Sequence, residues 1–289
     1  MSERGKATIQ RIVDIDPFAL QLSFLLPGAS LEALGDHKGA LGGQHVDWAN
    51  GAILLAVQSH LVRAGGKTIL IDTCVGEHKQ RPARAEWHNR ASTRYLANLK
   101  ACGCTPDDVD IVMCTHLHAD HVGWNTRLEN GQWVPTFPKA RYLMSLREVE
   151  QRATEAAARP EANHGSYQDS VLPVLDRGAA TFVDAGDEIV DGGTILALPG
   201  HAPGQIGLEL REGDGMDVFC GDAIHSPVQV FRPEWSSAFC HDKAQAERTR
   251  RALLARAAGE DLRLIPAHLR GRIMRVREAA GDFVPVIEP

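Results

Sequence analysis

Apolar residues fall in short runs punctuated by Gly, Pro and Asp along most of this chain, a pattern of alternating strands and helices. The run 51–66 followed by 67–73, with Ala64-Gly65-Gly66-Lys67 between them, predicts a β-hairpin. Further strands are expected at 110–115, 140–145, 193–199, 205–211, 216–222 and 262–268. Helical spacing is expected over 90–101, around Leu96 and Leu99, over 146–158, and over 243–258, where Ala244, Ala252, Leu253 and Ala257 offer one apolar face. The class is therefore α/β, and the hairpin argues for mixed sheets. No internal repeat or low-complexity linker marks a boundary, so a single domain over 1–289 is expected. Residues 1–50 read as an N-terminal extension whose Gly- and His-rich part, 28–50, covers a site. Residues 159–180, with Pro160, His164, Gly165 and Tyr167, read as a lid insertion.

Composition narrows the class without changing it. Of 289 residues, 44% are hydrophobic and 24% charged, the profile of an ordinary globular protein. A formal net charge of −6 gives no basic footprint for nucleic acid or anionic membrane, which leaves a small-molecule substrate. The apolar stretch Phe18 to Pro27 is interrupted by Gln21 and Ser23 and is too short to span a bilayer, so neither signal peptide nor anchor is expected. Six cysteines without a CxxC pair form no disulfide framework and suit a reducing cytoplasm.

The chemistry concentrates in Thr115-His116-Leu117-His118-Ala119-Asp120-His121, directly after an apolar strand. Positions i and i+2 point about 200° apart on a helix but share a side in extended chain, so His116 and His118 converge on one ion only outside a helix. Asp120 and His121 face other directions and suit a second ion. Imidazole and carboxylate are the donors of hydrolytic zinc sites that leave a position open for water, whereas closed structural sites lean on thiolates. Three later fragments repeat the placement at a strand end. His201 lies in a Pro199-Gly200-His201-Ala202-Pro203-Gly204 turn, Asp222 follows Cys220-Gly221, and His268 follows Ile265-Pro266-Ala267.

These residues together resemble the metallo-β-lactamase superfamily, whose HxHxDH signature matches 116–121; Leu70-Ile71-Asp72-Thr73 resembles the strand-end motif before it. The resemblance covers roughly residues 51–270 and implies a four-layer αβ/βα sandwich, two mixed β-sheets flanked by helices. By position, His116, His118 and His201 would bind one metal, Asp120, His121 and His268 the other, and Asp222 would bridge both. Asp72 and Thr115 would support the ligands from behind. Two divalent ions are implied, zinc first, although iron, manganese or cobalt suit the same donors. The implied reaction is hydrolysis by a metal-bridging hydroxide, with Asp120 and Asp222 the catalytic carboxylates.

Within the superfamily the chain looks most like the lactonase and methyl parathion hydrolase-like groups, so a lactone or ester-type bond is the expected target. Phosphotriesters and β-lactams are the alternatives within the fold. An iron-dependent redox enzyme and a non-catalytic metal-binding protein are those of another class. Tyr167, Trp124, Phe137 and His225 are candidates to line the substrate pocket. The resemblance also suggests a homodimer. No GxSxG elbow supports a serine nucleophile. Cys114 and Cys220 lie inside apolar strand patterns and read as buried structural thiols.

Overall fold

Ala52–Ala64 and Lys67–Ile71 form the expected hairpin, pairing antiparallel with His60 opposite Ile71 and Ala64 opposite Lys67. Gly65 and Gly66 turn the chain with φ of 55° and 70°, the double positive φ that matches the twist of the flanking strands and that glycine reaches without strain. This computed structural model describes residues 7–213 and 215–288. They divide into two compact units: 7–14 with 57–191, and 15–56 with 192–288.

In the sheet that carries the first unit, the strands run in the order Thr8–Gln21, Ala52–Ala64, Lys67–Ile71, Ile111–Met113, Arg141–Met144, Ala180–Phe182. The last four are mutually parallel. Ile69, Leu70, Ile71, Ile111, Val112, Met113, Tyr142, Leu143 and Met144 are all buried, which explains why these strands read as unbroken apolar runs rather than as alternation. Helices supply the connections that parallel strands need. Tyr95–Ala101 lies between the second and third strands of the run 52–113, and Leu146–Ala158 follows Arg141–Met144. The latter buries Glu148, Val149, Arg152 and Ala156, one stripe at helical spacing.

In the second unit Gly193–Ala197, Ile206–Glu212, Gly215–Gly221, Arg263–Pro266, Ile273–Ala279 and Asp282–Glu288 pair in chain order. All these pairings are antiparallel except that of Gly215–Gly221 with Arg263–Pro266. The crossover between those two is the helix Lys243–Glu260, which starts where the Asp242 carboxylate accepts from Gln245 N at 2.9 Å and stops at Asp261 in the left-handed region. Its buried stripe is Ala246, Arg250, Leu253, Leu254 and Ala257. Ala244 and Ala252, expected on that face, are exposed. The difference comes from Arg250, a charged residue that hydrophobic spacing does not count as core. It is buried because its guanidinium donates to the carbonyls of Ala223 and Pro233. Leu253, Leu254 and Ala257 join Leu198, Val218, Ile224, Leu264 and Met274 in the core of this unit.

The N-terminal part of the chain departs from expectation. Thr8–Gln21 is not an appended extension but the edge strand of the first sheet, against Ala52–Ala64. Residues 1–6 of the expected extension lie outside the described residues. Segment 28–50 folds into the 3-10 helix Glu32–His37, the helix Lys38–His45 and the short strand Val46–Asp47, paired with Ala52 and Ile53. No helix among the described residues is long and apolar enough to cross a membrane.

Candidate metal centre

Strand direction places the site residues. Lys67–Ile71 and Ile111–Met113 are parallel neighbours, so their carboxyl ends leave the sheet at one edge, one continuing into Asp72 and the other into 115–121. In the second unit, two successive antiparallel pairings make Gly193–Ala197 run with Gly215–Gly221, which runs with Arg263–Pro266. The chain beyond those three strands carries His201, Asp222 and His268, likewise at a common edge.

Within the first unit Asp72 organises the loop that follows it in space. Its φ of 57° is a left-handed conformation, costing an L-residue about 1–2 kcal/mol, and four hydrogen bonds offset that. Its carboxylate accepts from Thr115 N at 2.8 Å, from Thr115 Oγ1 at 3.0 and 2.9 Å, and from His121 Nδ1 at 2.8 Å. The last bond fixes the proton of His121 on Nδ1 and leaves Nε2 as the donor nitrogen. His118 is extended, at φ −71° and ψ 156°, and precedes a short helix, Ala119–Val122, that carries Asp120 and His121. His116 Nε2 and His118 Nδ1 stand 2.9 Å apart, with the ring planes at 80°. Two imidazole nitrogens at that separation are aimed at one point. The outer nitrogen of His116, Nδ1, lies 3.2 Å from Thr115 Oγ1. Asp120 Oδ1 is 3.8 Å from His121 Nε2.

The short helix sits against the loop after Asp72 through backbone contacts. Thr73 N donates to His121 O, Gly123 N to Cys74 O and Trp124 N to Thr73 O. A Cβ on Gly123 would stand 1.9 Å from Val75 O, so only glycine permits this approach.

Within the second unit Asp222 is the hub. Its Oδ2 faces His201 Nε2 at 3.3 Å and His225 Nε2 at 3.2 Å, while Oδ1 faces His268 Nε2 at 3.3 Å. The outer ring nitrogens are engaged elsewhere. His268 Nδ1 donates to Ala56 O at 2.8 Å, His225 Nδ1 lies 3.3 Å from Gln229 Oε1, and His201 Nδ1 lies 3.6 Å from Cys240 Sγ. With its proton on Nδ1, a neutral His268 points a lone pair at a carboxylate oxygen. Two acceptors that close are repulsive unless a cation or a proton is shared between them, so the donor set fits a divalent metal. Gly200 holds the His201 turn against the helix; its φ is 127°, and a Cβ there would lie 2.3 Å from Ala246 N.

The thiols near these residues are held protonated by burial. Burial raises the Cys240 thiol to about 11 and the Cys114 thiol to about 12, and raises Cys220 as well. At neutral pH, without metal, these side chains are protonated thiols. All six cysteines are free.

The pocket candidates separate. His225 lies on Asp222, as described. Tyr167 is half-buried in a short turn of the 159–180 segment, and burial raises its hydroxyl pKa. Trp124 and Phe137 instead lie in the interior of the first unit, 3% and 0% exposed, with Trp124 stacked on Tyr95 at 5.2 Å. They are core because an aromatic next to a strand packs wherever apolar area is offered. Two side chains with no sequence signal also touch the loop 115–121. Glu148 accepts from Leu117 N at 3.3 Å, and the Asn163 amide bonds Leu117 O and Ala119 N. Both lie more than 25 residues from the loop in sequence, and no motif contains either.

The family model for the metallo-beta-lactamase superfamily matches residues 52–268. N-acyl homoserine lactonase AiiB of Agrobacterium fabrum is 23% identical over 248 residues, covering 79% of this chain and 85% of the relative. An N-acyl homoserine lactonase of Bacillus cereus is 28% identical over 134 residues, 46% of each chain. Among solved structures, the dizinc quorum-quenching lactonase AidC superposes with a TM-score of 0.78 at 19% identity, covering 99% of this chain and 96% of its own. The hydrolase AbOPH superposes at 0.79 and 25% identity with the same coverage. The match spans both groups of His and Asp residues and both strand-end edges that carry them, and the chain therefore belongs to the metallo-β-lactamase superfamily, as a metal-dependent hydrolase of α/β fold.

Proposed function

We propose that this hydrolase opens lactone rings, with N-acyl homoserine lactones the first substrates to test, and that it uses two divalent ions, zinc in the first instance. His116, His118, Asp120 and His121 of the first unit and His201, Asp222 and His268 of the second would supply the donors that hold these ions. The observation that carries the reading is the buried carboxylate of Asp222 with imidazole nitrogens facing both of its oxygens. The two units act as one functional domain, a reading supported by a family match that runs through both.

Two cations bound by these donors supply a Lewis acid and bring the pKa of water down towards about 7. The protein's own residues do the rest. Asp120, with its side chain 15% exposed, takes the proton from the attacking water and returns it to the departing alkoxide oxygen. Asp72 and Thr115 keep His121 and His116 in their tautomers. Tyr95 and Tyr142 are wholly buried, so Tyr167 is the tyrosine with access to a substrate, and it and His225 contribute to the pocket. A reducing cytoplasm suits the six free thiols.

The test is a hydrolysis screen of purified, metal-analysed protein against N-acyl homoserine lactones, simple lactones, aryl esters, phosphotriesters and β-lactams. The expected result is a kcat/KM above about 10⁴ M⁻¹ s⁻¹ for a lactone and lower values elsewhere. Turnover of phosphotriesters with none of lactones would overturn the substrate assignment while leaving the metal chemistry in place.

A further inference from the structure

Segment 159–180 carries a turn that is unusual in its backbone. Asn163 has φ 50° and ψ 38°, His164 φ 58° and ψ 23°, and Gly165 φ 73°. Three successive left-handed residues, two of them not glycine, persist only where the surroundings hold them. Here they are held. His164 O accepts from Arg81 Nη1 at 2.8 Å, and the His164 ring meets Trp87 edge to face at 5.5 Å. Arg81 in turn forms a two-pronged pair with Asp169 of the same segment, at 2.7 and 2.8 Å, and is wholly buried.

The turn presents the Asn163 amide to the ligand loop. Asn163 Nδ2 donates to Leu117 O at 2.6 Å, and Asn163 Oδ1 accepts from Ala119 N at 3.1 Å. Those two groups belong to the peptide units on either side of His118. A donor and an acceptor of one planar side chain therefore grip both flanks of one residue and fix its φ and ψ together. The amide is itself oriented by a second bond, from Nδ2 to Ser166 Oγ at 2.7 Å. One peptide earlier, Leu117 N donates to Glu148 Oε2, a carboxylate 1% exposed.

We propose that Asn163 is a positioning residue for the metal site, setting the direction in which His118 offers Nδ1, and that the 159–180 segment is thereby a fixed part of the site rather than a loose lid. This rests on the metal assignment made above for His118. Outer groups that orient ligands typically change metal affinity 10- to 100-fold when removed, and Asn163 acts on the backbone of a ligand rather than on its ring.

Asn163→Gly is the informative variant because glycine adopts the left-handed φ freely, so the backbone is kept and only the amide is lost. Asn163→Asp keeps the acceptor for Ala119 N and loses the donor to Leu117 O. Three readouts are taken on wild type and both variants: zinc affinity by competition with a chromophoric chelator, the visible spectrum of the cobalt-substituted protein, and Tm with and without metal. The expected result is at least a 10-fold loss of affinity for one ion in Asn163→Gly, an altered cobalt spectrum, and a smaller metal-induced rise in Tm, with Asn163→Asp between it and wild type. A merely structural role would lower the metal-free Tm and leave the metal-induced rise unchanged, and that result overturns the proposal. So does wild-type affinity in Asn163→Gly or, should that variant fail to fold, in Asn163→Asp. Wild-type protein that takes up no divalent metal would overturn the metal assignment itself, a failure distinguishable from the others.

Discussion

Asp72→Asn separates what the aspartate does for the fold from what it does for the ligands. The two side chains have the same shape. Asn Oδ1 can still accept from Thr115 N and Oγ1, bonds of 2.8 and 3.0 Å in the wild type. The amide nitrogen then replaces Oδ2, which accepts from His121 Nδ1 at 2.8 Å. Two donors cannot face each other, so His121 must move its proton to Nε2, the nitrogen needed for metal, or break the contact. One charge-assisted hydrogen bond, about 1.5–3 kcal/mol, is weakened or lost in a site where the residue is 2% exposed. The two Thr115 bonds to Oδ1 are kept, so metal-free protein should lose about 1.5–3 kcal/mol in urea denaturation. Metal affinity should fall further, by 10- to 100-fold for one of two ions. Chelator competition, with the elemental content of dialysed protein, measures this. A variant that retains two ions at wild-type affinity would refute the tautomer argument, and one that loses stability and affinity in proportion would show Asp72 to be a purely structural cap.

Three further outcomes follow from the same geometry. Gly123→Ala places a Cβ 1.9 Å from Val75 O and, since backbone meets backbone, should cost at least about 3 kcal/mol in denaturant unfolding; a loss under 1 kcal/mol would contradict the close approach. His45 is 3% exposed, and burial, then the Arg270 charge, lower its pKa from 6.5 to about 4. It is neutral when folded, so its contribution is full above pH 6.5 and is lost as pH falls from 6.5 to 4, about 3 kcal/mol in all; His45→Gln should remove that acid sensitivity in a pH series of urea melts. Lys79 is wholly buried over the Trp133 ring, and burial brings its pKa down to about 7 despite Asp169. Between pH 7 and 10.5 the unfolded chain keeps a proton that the folded one has released, so folding gains stability as pH rises. Wild type should gain on Lys79→Met by up to about 1.4 kcal/mol per pH unit there, and a flat difference would show that Lys79 stays charged.

The elements whose signals are local were readable from the chain. The Gly65-Gly66 hairpin has its turn residues where the positive φ falls, and Leu146–Ala158 keeps one periodicity between a clean start and Pro160. The His and Asp motifs proposed to bind metal are equally readable, because each follows a strand whose carboxyl end reaches the edge of its sheet. The N-terminal strand was not, since Pro17 interrupts its pattern and only its edge position makes that tolerable. Asn130-Gly131 joins Thr126–Glu129 to Gln132–Pro135 with positive φ at both residues, so a hairpin signal was present but flanked by too few apolar positions to stand out. Asn163 lay beyond reach altogether. A lone asparagine carries no motif, and both its left-handed backbone and its grip on Leu117 and Ala119 arise from tertiary contacts through Arg81 and Trp87.

His116, His118, Asp120, His121, His201, Asp222 and His268 are proposed to hold metal that the reaction requires. Titration of zinc into metal-free protein, with lactone hydrolysis and bound metal followed in the same samples, tests this assignment most directly. Activity should be absent without metal, rise as zinc is taken up and reach its plateau at two equivalents per chain, with Asp222→Ala losing uptake and turnover together. Full hydrolysis by exhaustively chelated protein, or two tightly held ions in Asp222→Ala, would contradict it.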